Sequence, residues 1–168
     1  FLLYIRMIQL TYATAYTFNV TTEDVRIDTS VPRTQIRHLF KFTNDMDGGV
    51  KYAYGATETI NDRYTQIRMT SILPPNENTF TGKIDFIPNG YWKYEVYEVS
   101  YNGTAVVNAT KAPATESTPA TDQEGVYGTV KGCVEIGKLF VEEQPGLEQV
   151  KYTQRQEPSG TNYIYYGQ

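Results

Sequence analysis

The chain has 168 residues, a formal net charge of -4, 15 Tyr, 1 Cys and 1 His. A single cysteine excludes an internal disulfide and a cysteine-rich zinc site, and a single histidine excludes a multi-histidine metal centre. The acidic balance, with no basic stripe beyond Arg33, Arg37, His38 and Lys41, argues against binding nucleic acid through its phosphates.

The segment Phe1 to Ile5 is apolar, but it lacks the basic flank and small-residue cleavage site of a secretory signal. Two readings stand for the chain's first residues: Met7 is the usual start and residues 1–6 come from an upstream start, or residues 1–6 follow a removed segment. No run approaches the ~18 apolar residues of a membrane-spanning helix, so no membrane partner is expected.

Strand patterns then follow one another. Met7 to Tyr12 alternates apolar and polar residues, and Tyr16 to Val20 is β-branched and aromatic. Leu39 to Thr43 alternates and stops at Asn44-Asp45. Tyr64 to Ile72 places Ile67 and Met69 on one face, and Phe80 to Ile87 follows. Tyr91 to Val99 is the strongest strand: Trp92, Tyr94 and Val96 share one side, and Tyr91, Lys93, Glu95 and Tyr97 the other. Period-two alternation of this kind requires one buried and one wet face. Turn residues separate the runs at Asp47-Gly48-Gly49, Pro74-Pro75-Asn76, Pro88-Asn89-Gly90 and Asn102-Gly103. No long helical period competes with them.

Asn108 to Asp122 is rich in Thr, Ala and Pro and lacks aromatics, so a long exposed loop or linker is expected there. Strand signals return at Val126 to Val130 and at Cys133 to Val141, with a bulge expected near Gly137. From Gln144 the chain is polar until Tyr163-Ile164-Tyr165-Tyr166, which reads as an arm that docks on its own domain or a neighbour, or as a last strand. The fold class is therefore all-β. The architecture is an antiparallel β-sandwich or jelly-roll-like barrel over residues 1–143, with a long loop at 105–124 and an extended arm at 144–168.

Little of this carries chemistry. His38 lies within a strand candidate without a nucleophile beside it in sequence, which reads as a structural or surface histidine. Cys133, in an apolar run, reads as a small buried hydrophobe. Asn44-Asp45-Met46-Asp47-Gly48 resembles half a calcium loop, but Tyr54 falls where the bidentate Glu is needed, so a hairpin turn explains it better. The carboxylates Glu142-Glu143 and Glu95/Glu98 could serve glycoside hydrolysis only if a cleft held two of them about 5–9 Å apart. The sequons at Asn19, Asn102 and Asn108 matter only in a secreted eukaryotic chain. No catalytic residue, cofactor or metal is expected, and the chain does not read as an enzyme.

Tyrosine remains. It supplies amphipathic contact area at low conformational cost and is enriched at interfaces. Three blocks add to this: Leu39-Phe40-Lys41-Phe42-Thr43-Asn44-Asp45; Asp62-Arg63-Tyr64 followed by Gly90-Tyr91-Trp92-Lys93-Tyr94-Glu95-Val96-Tyr97-Glu98; and Val134-Glu135-Ile136-Gly137-Lys138-Leu139-Phe140-Val141. In this order they resemble small proteins of tailed bacteriophages encoded among the virion structural genes. Those proteins typically begin with a strand like Met7-Ile8-Gln9-Leu10-Thr11. The resemblance spans about Met7 to Val141 and does not cover the Thr/Ala/Pro insertion or the Tyr-rich segment. It implies a β-fold virion component and brings no catalytic residues.

The expected function is a capsid decoration or cement protein, located in the virion and oligomeric in the particle. Its partners would be the major capsid protein and copies of itself. The expected contact residues are Tyr91, Trp92, Tyr97, Tyr101, Tyr163, Ile164, Tyr165 and Tyr166. A head–tail adaptor or tail component is the first alternative. A carbohydrate-binding or receptor-adhesin module stacking sugars on Trp92 is the second.

Overall fold

A computed structural model describes residues 7–118 and 127–146. The described residues form two stacked sheets from nine strands: β1 (Met7–Thr11), β2 (Ala15–Val20), β3 (Ile36–Asn44), β4 (Val50–Tyr54), β5 (Thr57–Ile60), β6 (Thr65–Ser71), β7 (Lys83–Ile84), β8 (Gly90–Ser100) and β9 (Thr129–Glu142). One sheet has the order β1-β9-β8-β3-β4, the other β2-β6-β5 with β7 beside β6. The pairings are antiparallel apart from β1 with β9 and β6 with β7, which are parallel. This is an all-β sandwich without a closed barrel.

Alternation decides which side chains meet between the sheets. Phe40 and Phe42 of β3, Trp92, Tyr94 and Val96 of β8, and Leu139 and Val141 of β9 project inward from the larger sheet. They meet Phe18 and Val20 of β2, Ile67 and Met69 of β6, and Ile84 and Phe86. The rings interlock edge to face: Phe86 lies 5.0 Å from Phe42 and 5.4 Å from Trp92, near right angles to both. Such pairs add about 0.5–1.5 kcal/mol each beyond the area they bury. Gly137 makes room for this core, because a Cβ there would stand 2.4 Å from the ring of Tyr94.

The lateral edges of the sandwich are joined by short corners. Residues 12–14 carry the chain from β1 to β2, with Ala13 in the left-handed region at φ 60°. On the far side residues 55–56 carry it from β4 to β5. Hydrogen bonds pin both: Ser71 N donates to Thr14 O at 2.8 Å, and Ala56 N to Arg68 O at 2.7 Å.

Several expectations are revised. The run Phe80 to Ile87 is a strand only at Lys83–Ile84, because Asn78 caps a 3-10 turn at Thr79–Thr81 and Gly82 turns left-handed at φ 68°. The strands β4 and β5 were not apparent from alternation. The two expected C-terminal strands are one, β9, and its bulges lie at Lys131 and Val134, where the register with β8 shifts, while Gly137 pairs regularly with Tyr94. The bulge also turns Cys133 to the outer face opposite Tyr97, so this cysteine is exposed rather than buried.

The Thr/Ala/Pro segment is not a free linker where it is described. Residues 101–118 lie across the outer face of the larger sheet, over Leu39, Tyr54 and Val99. Ala112 and Pro113 are buried there. Tyr54 donates its hydroxyl to Pro113 O at 2.6 Å, and Gly128 N donates to Lys111 O at 2.7 Å. Residues 119–122 of that segment, and the arm beyond residue 146, lie outside the described residues.

Candidate functional site

The chain's one histidine sits in its most polar interior cluster. His38 enters at the start of β3, one residue before β4 begins pairing at Leu39, so its backbone N–H has no strand partner on that side. Glu58 of β5 reaches across and takes both donors. Its Oε1 accepts from His38 N at 3.0 Å, and its Oε2 lies 2.9 Å from His38 Nδ1. On the other side of the ring, Nε2 lies 2.9 Å from Thr22 Oγ1. Nearby, Glu98 of β8 points inward with 1% exposure. It accepts from Ile27 N at 2.9 Å and Asp28 N at 2.7 Å. These groups line a narrow cleft that opens to solvent, together with Glu23, Arg26 and Arg33.

A hydroxyl, an imidazole and a carboxylate in sequence are the elements of a general-base relay. Here each is taken up by the fold. The Thr22 hydroxyl is buried, Arg26 donates to Asp28 O and Val31 O, and Arg33 is held by Glu23 at 2.7 Å and donates to Asn61 O. The visible effect is to fasten the 21–35 segment onto the sheet. The carboxylates considered for glycoside hydrolysis are not brought together. Glu98 faces inward, while Glu95 lies on the outer face, 3.4 Å from Lys93.

Asp28 belongs to the same fastening. Its carboxyl accepts from Ser100 Oγ at 2.6 Å and from Ser30 N at 2.9 Å. Those hydrogen bonds, with Lys131 beyond them, hold it well below the ordinary carboxylate range.

The tyrosines divide by placement. Tyr12, Tyr54, Tyr94 and Tyr101 are buried, and the hydroxyls of the first three reach Asp85, Pro113 O and Glu135. Part of the tyrosine excess is therefore internal: large rings that fill the core, three of them with polar tips that tie elements together. Burial pushes the Tyr52 phenol up to about 12, helped by its hydrogen bond to Glu116.

The expected contact set changes accordingly. Trp92 is 1% exposed, with its indole N–H donated to Pro88 O at 3.1 Å, and Tyr101 is fully buried at the start of the 101–118 loop, packed with Leu39, Tyr54 and Val99. Both belong to the chain's own core and are withdrawn from any contact surface. Tyr97 is half-buried, and Tyr91 stays on the surface, 4.8 Å from the ring of Phe140. Tyr163, Ile164, Tyr165 and Tyr166 lie outside the described residues.

One end of the sandwich was missed. The hairpin turn at 45–49 presents Met46 with 79% exposure, and the adjoining loops present Leu73 and Ile87. Asn44 Nδ2 donates to Pro88 O at 3.1 Å, which ties the 45–49 turn to the loop before β8, and Ile72 N donates to Ile84 O at 2.9 Å, which ties the start of the Leu73 loop to β7. No periodicity marks loop-tip hydrophobes, so only their occurrence inside turn sequences could have drawn notice.

Glu116 gives the outer loop a pH dependence. Burial alone would raise its carboxyl, but hydrogen bonds from Lys41 and Tyr52 outweigh that and hold it below the ordinary range. A depressed carboxylate stabilises the docked loop above its unfolded pKa of about 4.3, and the contribution fades as pH falls through the lower folded value. The protection factors of amides in residues 101–118 should therefore fall selectively as the pH drops below about 4. In a Glu116→Gln variant that fall should be weaker.

The chain matches no protein-family model, no curated protein and no solved structure.

Proposed function

We propose that the chain is a bacteriophage virion structural protein, a capsid decoration or cement protein whose partners are the major capsid protein and copies of itself. The observation that carries this reading is the apolar end of the sandwich, where Met46, Leu73 and Ile87 stand exposed on loops tied to the same sheets, with Tyr91 at their border. Exposed hydrophobes gathered at one end of a body suit a surface that binds other proteins. A stiff two-sheet body presenting such loops suits repeated, individually weak contacts that sum over a lattice. The three sequence blocks that resemble phage virion proteins point the same way.

Quantitative mass spectrometry of purified particles tests the proposal. A decoration protein should be present at on the order of hundreds of copies, and occupancy should fall severalfold when Met46 and Ile87 are both replaced by Asp. These residues are exposed, so the fold should tolerate the change. A small ring-like copy number would instead favour the head–tail adaptor. Absence from particles would overturn both. The sugar-binding alternative loses its anchor, since Trp92 is in the core.

A further inference from the structure

Asparagine followed by glycine occurs twice in the chain, at Asn89-Gly90 and at Asn102-Gly103. A glycine in the second place removes the Cβ that would keep its own backbone nitrogen away from the asparagine carboxamide. That nitrogen can attack Cγ. A bond forms between the glycine nitrogen and Cγ, and the bond from Cγ to the amide nitrogen breaks. Ammonia leaves with the proton that the glycine nitrogen gives up, passed through solvent. Water then opens the succinimide at either carbonyl, which yields aspartate or isoaspartate. Nothing is oxidised or reduced, and water is the co-reactant. As sequences the two pairs are equivalent.

The fold makes them different. Gly90 is the first residue of β8 and pairs with Val141 of β9, so its backbone is held in the ladder. The Oδ1 of Asn89 is buried and receives no hydrogen bond among the described residues. Attack on Cγ places negative charge on that oxygen, and an enclosed oxygen without a donor is the least favourable place for it. Asn102 is the opposite case. It is exposed, as is Thr104, and both lie in a bend outside any strand. Among the described residues no hydrogen bond holds Asn102, Gly103 or Thr104. Water reaches the carboxamide, and the Gly103 nitrogen can turn towards Cγ without first breaking a bond to a neighbour.

We propose that Asn102 is a modification site, where the folded chain loses the side-chain amide through a succinimide with Gly103 N, and that isoaspartate there loosens the outer loop. The second effect follows from where Asn102 stands. Tyr101 before it is fully buried, with its N–H donated to Gln35 O at 3.0 Å. Ala105 and Val107 after it pack on the cluster of Leu39, Tyr54 and Val99. Isoaspartate routes the main chain through its side-chain carbon and so lengthens the path between these two anchored points. The packed residues beyond must then shift. This inference does not depend on the particle reading and is tested on the isolated full chain.

The full chain is aged in mildly alkaline buffer at body temperature, and its peptides are mapped by mass spectrometry. Amide loss at Asn102 should run at least about tenfold faster than at Asn89. In urea the two rates should converge to within about twofold, because the fold alone separates them. Equal rates in the folded chain, or faster loss at Asn89, would overturn the proposal. So would loss at Asn102 no faster than at Asn76, which is equally exposed but is followed by Glu77. In aged wild-type chain, amide exchange across residues 105–112 should quicken severalfold, whereas aged Asn102→Gln should keep the exchange of fresh protein. Exchange that stays unchanged in modified wild-type chain, or that quickens equally in the variant, would overturn the effect on the loop.

Discussion

Trp92→Ala should destabilise the chain by about 3–5 kcal/mol, a large share of the ordinary total of about 5–15 kcal/mol. The indole is enclosed by Phe86 and the inward faces of β8 and β9, with its N–H already donated to Pro88 O. Truncation leaves a cavity between two sheets that are pinned at their edges and cannot close on it. It also leaves the Pro88 carbonyl, shared with Asn44 Nδ2, with one donor fewer. Trp92→Phe keeps most of the volume and should cost about half as much. Equilibrium urea denaturation separates the two variants. A Trp92→Ala protein with wild-type stability would place the indole on the surface and restore the sugar-stacking reading.

Glu58→Ala should cost about 2–4 kcal/mol, more than an average surface change by a wide margin. The carboxylate is the acceptor for two His38 donor positions, the backbone N–H and the ring Nδ1. Both lie beneath the surface, and water replaces a lost acceptor poorly there. Glu58→Gln retains a carbonyl oxygen that can serve one of the two donors, so its cost should be about half. The loss should be local as well as global. With His38 no longer held, Thr22 loses the ring it contacts, and amide exchange across residues 21–35 should quicken in both variants. A change below about 0.5 kcal/mol in Glu58→Ala would show that the cluster contributes nothing to the fold.

The alternation of Tyr91 to Val99 is enough to identify β8 and to say which of its residues turn inward, because period two leaves no other assignment when one side is Trp, Tyr and Val. The same reasoning finds β1, β2, β3 and β6. It fails for β4 and β5 for a physical reason. β4 is an edge strand whose Tyr52 and Tyr54 lie under the outer loop, and β5 is nearly all polar, Thr57-Glu58-Thr59-Ile60, because its Glu58 serves His38 rather than the core. Cys133 shows a second limit. One bulged residue moves a side chain to the opposite face, and nothing in Lys131-Gly132-Cys133-Val134 announces where the bulge falls. The Thr/Ala/Pro segment shows a third. Its composition reads as a linker, and its docking depends on tyrosine hydroxyls and a lysine contributed by strands more than fifty positions away. Partners so distant along the chain are set by the tertiary fold and leave no local pattern. The polar cleft is invisible for the same reason, since Thr22, His38, Glu58 and Glu98 come from four separate stretches of chain.

The corners at 12–14 and 55–56 determine how this body responds to force. Because β1 continues into β2 on one side and β4 into β5 on the other, covalent backbone spans the gap between the sheets at both margins. A pull that tries to part the sheets sideways is carried by main chain rather than by side-chain contact alone. The links at 21–35 and 85–89 also cross from one sheet to the other, so main chain ties the two sheets at their ends as well as at their margins. A neighbour that grips the tip loops therefore pulls on a body whose sheets part only when several stretches of backbone give way together.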